Sequence, residues 1–198
     1  RGGGCGVMAD LSRELETQRL ILRALALRDA EAMSALLRDP VVNTFLPWFP
    51  AQTLAEAEEM LRTRYIGGPG VHYAVCLRGE DAPIGYVSLA EGPAYDLGYG
   101  LARAHWGQGI PSEAAAAVLA EARRAGLAFV TATHDVHNPA SGGVMRKIGM
   151  TYRYSYVERW MPKDQIVTFR LWQIDFAPEV PTYPGYWNTY PDHFVEEL

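Results

Sequence analysis

Hydrophobic and polar positions alternate between two periods along this chain. Residues 20–25 read as a first strand, and residues 29–38 put Ala30, Met33, Leu36 and Leu37 on one helical face, ended by Pro40. After the stiff aromatic loop Pro47-Trp48-Phe49-Pro50, the run Thr53-Leu54-Ala55-Glu56 has the form of a capping box. It opens a second helix with Leu54, Ala57, Leu61 and Tyr65 at helical spacing, stopped by Gly67-Gly68-Pro69-Gly70. Three short strand patterns follow, at 72–77, 84–89 and 95–101. In the third, Tyr95, Leu97, Tyr99 and Leu101 share one face, and Asp96, Gly98 and Gly100 the other. That glycine face either accommodates a bulky neighbour or lets a ligand lie close.

An alanine-rich helix at 114–125 comes next, burying Ala114, Ala117, Val118, Ala122 and Ala125. Residues 127–133 form a continuous apolar or β-branched run, as in a central strand. Asn138 suits an N-cap, Pro139 a first helical position and Gly149 a helix end, enclosing a helix at 139–148. Residues 151–160 and 166–176 flank Pro162-Lys163-Asp164 as a long hairpin. On its first strand Tyr152, Tyr154, Tyr156 and Trp160 form an aromatic stripe, read either as core or interface or as the wall of a cleft.

These elements fit one domain over 8–176. Residues 1–7, Arg-Gly-Gly-Gly-Cys-Gly-Val, read as an expression remnant before Met8. The tail, 177–198, carries Tyr183, Tyr186, Trp187, Tyr190 and Phe194 and is too aromatic for disorder. It is expected to pack on the domain or on a partner subunit, which makes a homodimer one expectation. A hydrophobic fraction of 48% and a net charge of −5 suit a soluble protein and argue against direct nucleic-acid binding. Two cysteines, Cys5 and Cys76, make no disulfide framework, so a reducing, cytoplasmic location is the default. No apolar run is long enough to cross a membrane.

The candidate chemistry centres on Trp106-Gly107-Gln108-Gly109-Ile110-Pro111-Ser112. A glycine loop between strand and helix presents N–H groups at the positive end of a helix dipole, where a diphosphate binds. No Lys follows for a Walker loop, and Ser112 stands where a dinucleotide fingerprint needs its third glycine, which weakens a nucleotide-dependent reading. An ordinary strand-to-helix turn remains the plain alternative.

The loop resembles motif A of the GNAT N-acetyltransferases, Gln/Arg-x-x-Gly-x-Gly/Ala. Trp106 in the first position looks like the RimJ/RimL-like branch, and Pro111 departs from the sixth. Asn138-Pro139-Ala140-Ser141 followed by Lys147-Ile148-Gly149-Met150 resembles the family's Asn-x-x-Ser…Lys-x-Gly-Phe segment, and Glu16-Thr17-Gln18-Arg19-Leu20-Ile21-Leu22-Arg23 resembles how RimJ/RimL-like proteins begin. The likeness runs over residues 16–176. It implies an α+β, αβα fold: a mixed, mostly antiparallel twisted sheet flanked by about four helices. It implies direct acetyl transfer from acetyl-CoA to a primary amine, a protein N-terminus or a small molecule, with no metal. A GNAT-fold sensor that binds acyl-CoA without transferring is the alternative.

On this resemblance the cofactor is held by Trp106, Gly107, Gln108, Gly109, Ile110, Pro111 and Ser112, by backbone groups of Tyr99 and Leu101, and by Asn138 and Lys147. Asn138 serves equally well as a plain helix cap. Ser141 is the candidate acid for the leaving thiolate, although a first-turn serine also bonds backbone. The family's usual Tyr position holds Met145. Asp96 occupies an often acidic position and is the named base, among Glu91, His134, Asp135, His137 and Tyr73. His134 and His137 lack a third ligand at a metal spacing. Deprotonating a lysine amine (pKa ~10.4) costs about 3 kcal/mol more than an α-amine (~8), so a weak base suits N-terminal or small-molecule amines.

Overall fold

Alternation of apolar residues lays five antiparallel strands side by side. They are β1 (Leu15–Glu16), β2 (Leu20–Ala24), β3 (Val71–Leu77), β4 (Pro83–Leu89) and β5 (Leu97–Leu101), paired in chain order. A second sheet has the order β6 (Phe129–Asp135), β8 (Gln165–Asp175), β7 (Thr151–Trp160), β9 (His193–Phe194). This computed structural model describes Met8 and residues 10–198; the leader read as an expression remnant, with Cys5, lies outside them. Among the described residues are five α-helices: α1 (Ala30–Leu37), α2 (Leu54–Met60), α3 (Ile110–Arg124), α4 (Pro139–Lys147) and α5 (Gly185–Thr189). The expected mixed, mostly antiparallel α+β architecture is present, and the fifth helix lies in the tail.

One face of the first sheet packs on α3. Leu20, Leu22, Val75, Val87 and Leu97 meet Ile110, Ala114, Val118 and Ala122 in the main core. The small alanines let the helix approach closely, and each fully buried Val or Leu contributes roughly 1.5–3 kcal/mol. The opposite face, through Ala74, Cys76 and Tyr86, packs on α1 and α2. Thr53 caps α2 by accepting from Glu56 N at 3.1 Å, but the Glu56 carboxylate takes the N–H of Gln52 (2.6 Å) instead of that of Thr53, so the box is only half closed. Leu54 stays exposed, and α2 continues into a π-helical turn, Leu61–Ile66.

Several sequence expectations need correction. Tyr95 does not extend β5: its φ of 46° breaks the strand before Leu97. The helix expected at 114–125 is α3 and starts earlier, at Ile110, after Gly109 in the left-handed region (φ 74°), and Ala117 and Ala125 are only partly buried. The run expected as a central strand, β6, is an edge of its own sheet, paired only with β8. It reads as doubly buried because a parallel bridge, Asp96↔Thr131, ties its middle to the start of β5. Thr131 N and Oγ1 reach the carbonyls of Tyr95 (3.1 Å) and Ala94 (2.8 Å). The aromatic stripe is split. A register shift between Tyr152 and Tyr154 puts Tyr152 beside Trp172 in the main core, while Tyr154 and Tyr156 join Phe169 and Leu171 on the other face.

Candidate active site

Beyond the Asp96–Thr131 bridge, β5 and β6 part. The gap is a cavity of about 380 Å³ whose walls include Asp96, Gly98 and Tyr99 from one side and Thr133, His134 and Ser141 from the other. The two glycines of β5 divide the two sequence readings between them. A Cβ on Gly100 would sit 2.5 Å from the Tyr86 ring, so that glycine accommodates a neighbour. A Cβ on Gly98 would meet nothing within 4 Å, so that one opens the cavity.

The ladder decides which main-chain groups of β5 are open. Ala102 N donates to Ile84 O (2.8 Å) and Ala90 N to Asp96 O (2.9 Å), and Gly98 and Gly100 pair with Ser88 and Tyr86. In an antiparallel pair successive residues turn their polar groups to opposite edges. Tyr99 and Leu101 therefore direct theirs away from β4, toward the gap. Trp106 Nε1 donates to the Leu101 carbonyl (2.8 Å), which leaves only the N–H of Leu101 for a ligand and pins the glycine loop to the end of β5.

Past that pin, Gly107 and Gly109 both adopt φ 74°, a conformation L-residues disfavour, and turn the chain into α3. Glu113 N makes an early helical bond, to Gly109 O (3.1 Å), so the preceding N–H groups of the loop have no partner within the helix. Pro111 has no N–H, so it contributes φ restraint and no donor. Ile110 and Ser112 are buried, and Ile110 anchors the loop in the core. Two cations flank the turn: a Cβ on Gly109 would lie 3.7 Å from both Arg19 Nη2 and Lys147 Nζ. Arg19 is held there by Glu113 Oε1 (2.8 Å) and Gln108 O (2.9 Å). Left-handed glycines, helix N–H groups and two cations are a donor set that fits a diphosphate. Arg19 is 94 residues from Glu113 in sequence, so only the N-terminal Gln-Arg-Leu motif hinted at it.

On the far side of the gap, Asn138 Oδ1 caps α4 by accepting from Ser141 N at 3.4 Å, and Asn138 also lines the cavity. Ser141 Oγ lies 2.9 Å from the Tyr99 hydroxyl, which also donates to Ser141 O at 2.9 Å. A hydroxyl pair thus spans the gap, a role for the Tyr99 side chain that the sequence did not indicate. Burial raises the Tyr99 hydroxyl to about 12, so it stays protonated. Met145 is buried and serves packing.

The base candidates separate by position. Asp96 Oδ1 is out of contact with solvent and meets no donor, although the residue is partly exposed overall, and that desolvation raises its carboxyl to about 7. His134 donates from Nδ1 to the carbonyl of Asp135 (2.8 Å), and burial lowers its pKa, which leaves a neutral ring with an unpartnered Nε2. Asp135 Oδ1 is occupied by His137 N (2.9 Å) and Nδ1 (3.1 Å), and the His137 side chain is exposed. The Tyr73 hydroxyl donates to Leu11 O inside the main core, and Glu91 sits on an exposed turn; neither lines the cavity.

Comparison with known proteins supplies a family and a fold. A family described as the acetyltransferase (GNAT) domain matches residues 19–151. The uncharacterized N-acetyltransferase p20 of Bacillus licheniformis is 29% identical over half of this chain, which spans 60% of that relative's length. The uncharacterized N-acetyltransferase YoaA of Bacillus subtilis is 29% identical over 68% of this chain and 81% of its own. A GNAT-family acetyltransferase structure from Bacillus anthracis superposes with a TM-score of 0.73 at 22% identity, covering 83% of this chain and 99% of that one. An acetyl transferase from Salmonella typhimurium, described as modifying the N-terminal serine of ribosomal protein L7/L12, gives 0.71 at 18%, covering 82% and 99%. Glycine loop, parted strands and capped α4 therefore sit in a known frame: the chain belongs to the GNAT acetyltransferase family.

Proposed function

We propose that this chain transfers acetyl directly from acetyl-CoA to a primary amine, of a protein N-terminus or a small molecule, in the manner of the RimJ/RimL-like branch. One observation carries the reading: a desolvated carboxylate and a bridging hydroxyl pair line the gap whose open strand edge leads to the phosphate-type loop. Acetyl-CoA supplies the acyl group as a thioester. The N–H groups of residues 107–112, with Arg19 and Lys147, hold its diphosphate; the open edge of Tyr99 and Leu101, with Asn138, guides the pantetheine arm. A main-chain N–H there serves as a single donor to the thioester carbonyl.

Asp96 takes the amine proton. An ordinary carboxylate near ~3.9 lies about 5–6 kcal/mol too low to deprotonate an α-ammonium near ~8. At about 7 the gap shrinks to roughly 1–2 kcal/mol. The neutral amine forms the C–N bond as the C–S bond breaks; Ser141 gives its proton to the departing sulfur, and the second proton of the acylated nitrogen returns to Ser141 by way of the Tyr99 hydroxyl 2.9 Å away, so that thiol and amide both leave neutral. Trp106 in the first motif position and Ser141 in place of a tyrosine acid support the RimJ/RimL-like assignment.

Thiol release from acetyl-CoA with a mixed panel of amines tests the reading. Amine-dependent release is expected. Tight cofactor binding with no release from any amine would leave the acyl-CoA sensor instead.

A further inference from the structure

The cavity has a wall that acetyl transfer does not use. Trp48, in the loop between α1 and α2, and Arg64, on the π-helical turn after α2, both line it. The Arg64 guanidinium carbon lies 4.3 Å over the Trp48 ring. Stacking uses the flat face of a guanidinium and leaves its N–H donors directed outward in its plane. Arg64 is exposed and has no carboxylate partner among the described residues. Trp48 Nε1 is buried and meets no acceptor, although a buried indole N–H normally has one. The same wall adds His72, whose ring nitrogens are taken by Ser88 Oγ (2.7 Å) and Pro69 O (3.1 Å).

Among the described residues two carboxylates line this cavity. Asp96 is the proposed base, and Asp135 Oδ1 is already engaged by His137. A polyamine, which needs several carboxylates for its remaining ammonium groups, would find only Asp135 here besides the proposed base. A permanent cation beside an unclaimed N–H is the opposite arrangement: it fits an anionic oxygen ligand. A cavity of about 380 Å³ is in the range of small-molecule sites.

We infer that Arg64 and Trp48 form a carboxylate-recognition site, and that the acceptor is a small primary amine bearing a carboxylate. The inference rests on the acetyltransferase reading for the amine end alone; the carboxylate site stands on its own geometry. The carboxylate belongs either to a free amino acid or to an acidic residue at a peptide N-terminus.

Two measurements test it. In thiol release, glycine, glycinamide and an N-terminal aspartyl peptide amide are compared in the wild type and in R64Q. Glycine and glycinamide differ in amine basicity, so the readout is the change in their kcat/KM ratio. R64Q is expected to reduce the preference for the carboxylate-bearing amine at least tenfold, with partial recovery in R64K. Selective loss with the aspartyl peptide instead of glycine assigns the carboxylate to a peptide. Equal losses for charged and neutral acceptors overturn the proposal. The second measurement needs no turnover. The indole N–H resonance of Trp48, identified by its loss in W48F, is expected to shift when N-acetylglycine is titrated in, and not with N-acetylglycinamide. No shift with N-acetylglycine overturns the carboxylate site even if thiol release is robust. A shift without thiol release from any amine keeps the site and overturns the acetyltransferase reading.

Discussion

Asp96 Oδ1 lies away from solvent and without a donor, so charging it is costly, and that cost is expected to show in both activity and stability. Asp96→Asn is expected to lower turnover by about 10²–10³ and to abolish an acid limb near pH 7, read from a pH–rate profile. The stability effect has a definite sign. With its folded pKa near 7, above an unfolded value near ~3.9, the carboxyl stabilises the fold below about pH 4, and that contribution is lost as pH rises through 7. Asn carries no such cost, so the mutant should gain thermal stability relative to wild type at pH 8 and not at pH 4. Survival of the acid limb in Asp96→Asn would move the base elsewhere, with the neutral His134 next in line. Ser141→Ala should reduce turnover several-fold with little change in cofactor affinity, and Tyr99→Phe should mimic it, because the two hydroxyls are 2.9 Å apart. Untouched turnover in both would mean that water supplies the thiolate's proton. At this scale the sequence was informative where a motif position names the residue, as for Asp96 and Ser141. It was silent on the Tyr99 hydroxyl, since a strand tyrosine gives no sign of what lies 42 residues on.

In the proposed function the glycine loop and α3 are the element on which cofactor binding would depend. Gly109 sits at φ 74° with Arg19 and Lys147 on either side of where its side chain would be. Gly109→Asp places a carboxylate between those two cations, where the proposed function puts the diphosphate. Asp tolerates the left-handed region better than most residues, so the fold should survive. The dissociation constant for acetyl-CoA should rise at least tenfold, about 1.4 kcal/mol or more by calorimetry; unchanged affinity in a folded mutant would place the diphosphate elsewhere. This loop was legible because its signals are local: two glycines, a proline and an alanine run. The errors fell where the determinant is distant. Nothing local distinguishes an edge strand from a central one when the edge is bridged to another sheet, as at Asp96–Thr131. A one-residue register shift after Tyr152 likewise reverses the faces of an aromatic stripe that looks continuous in sequence.

At the scale of the whole molecule the open issue is what residues 177–198 contribute, and their contacts suggest an answer. Tyr186 and Tyr190 stack on Tyr156 with ring centroids 4.9 and 5.1 Å apart, and Trp187 meets Tyr154 edge-on at 5.4 Å. Gln173, fully buried, accepts from Tyr183 N (2.9 Å) and donates to Pro181 O (3.1 Å) as well as to Asp175 Oδ1 (2.7 Å), so removing the tail takes away two of its partners. Glu196 closes on Arg170 (2.8 and 2.9 Å) and Ser155 (2.6 Å); the Arg170 hydrogen bonds pull its carboxyl to about 2. That pair stabilises the fold above about pH 4, and its contribution fades as pH falls toward 2. Burial first, and then the charge of Asp96, hold the Tyr186 hydroxyl protonated. We therefore expect a chain ending at Phe176 to lose about 2–4 kcal/mol, the aromatic burial less the ordering entropy of the tail. The melting temperature should fall by roughly 4–16 °C. Light scattering separates the two ways of packing the tail: unchanged mass means that it covers its own domain, and a halved mass means that it joins two subunits. Unaltered stability and mass would make the tail a loose appendage.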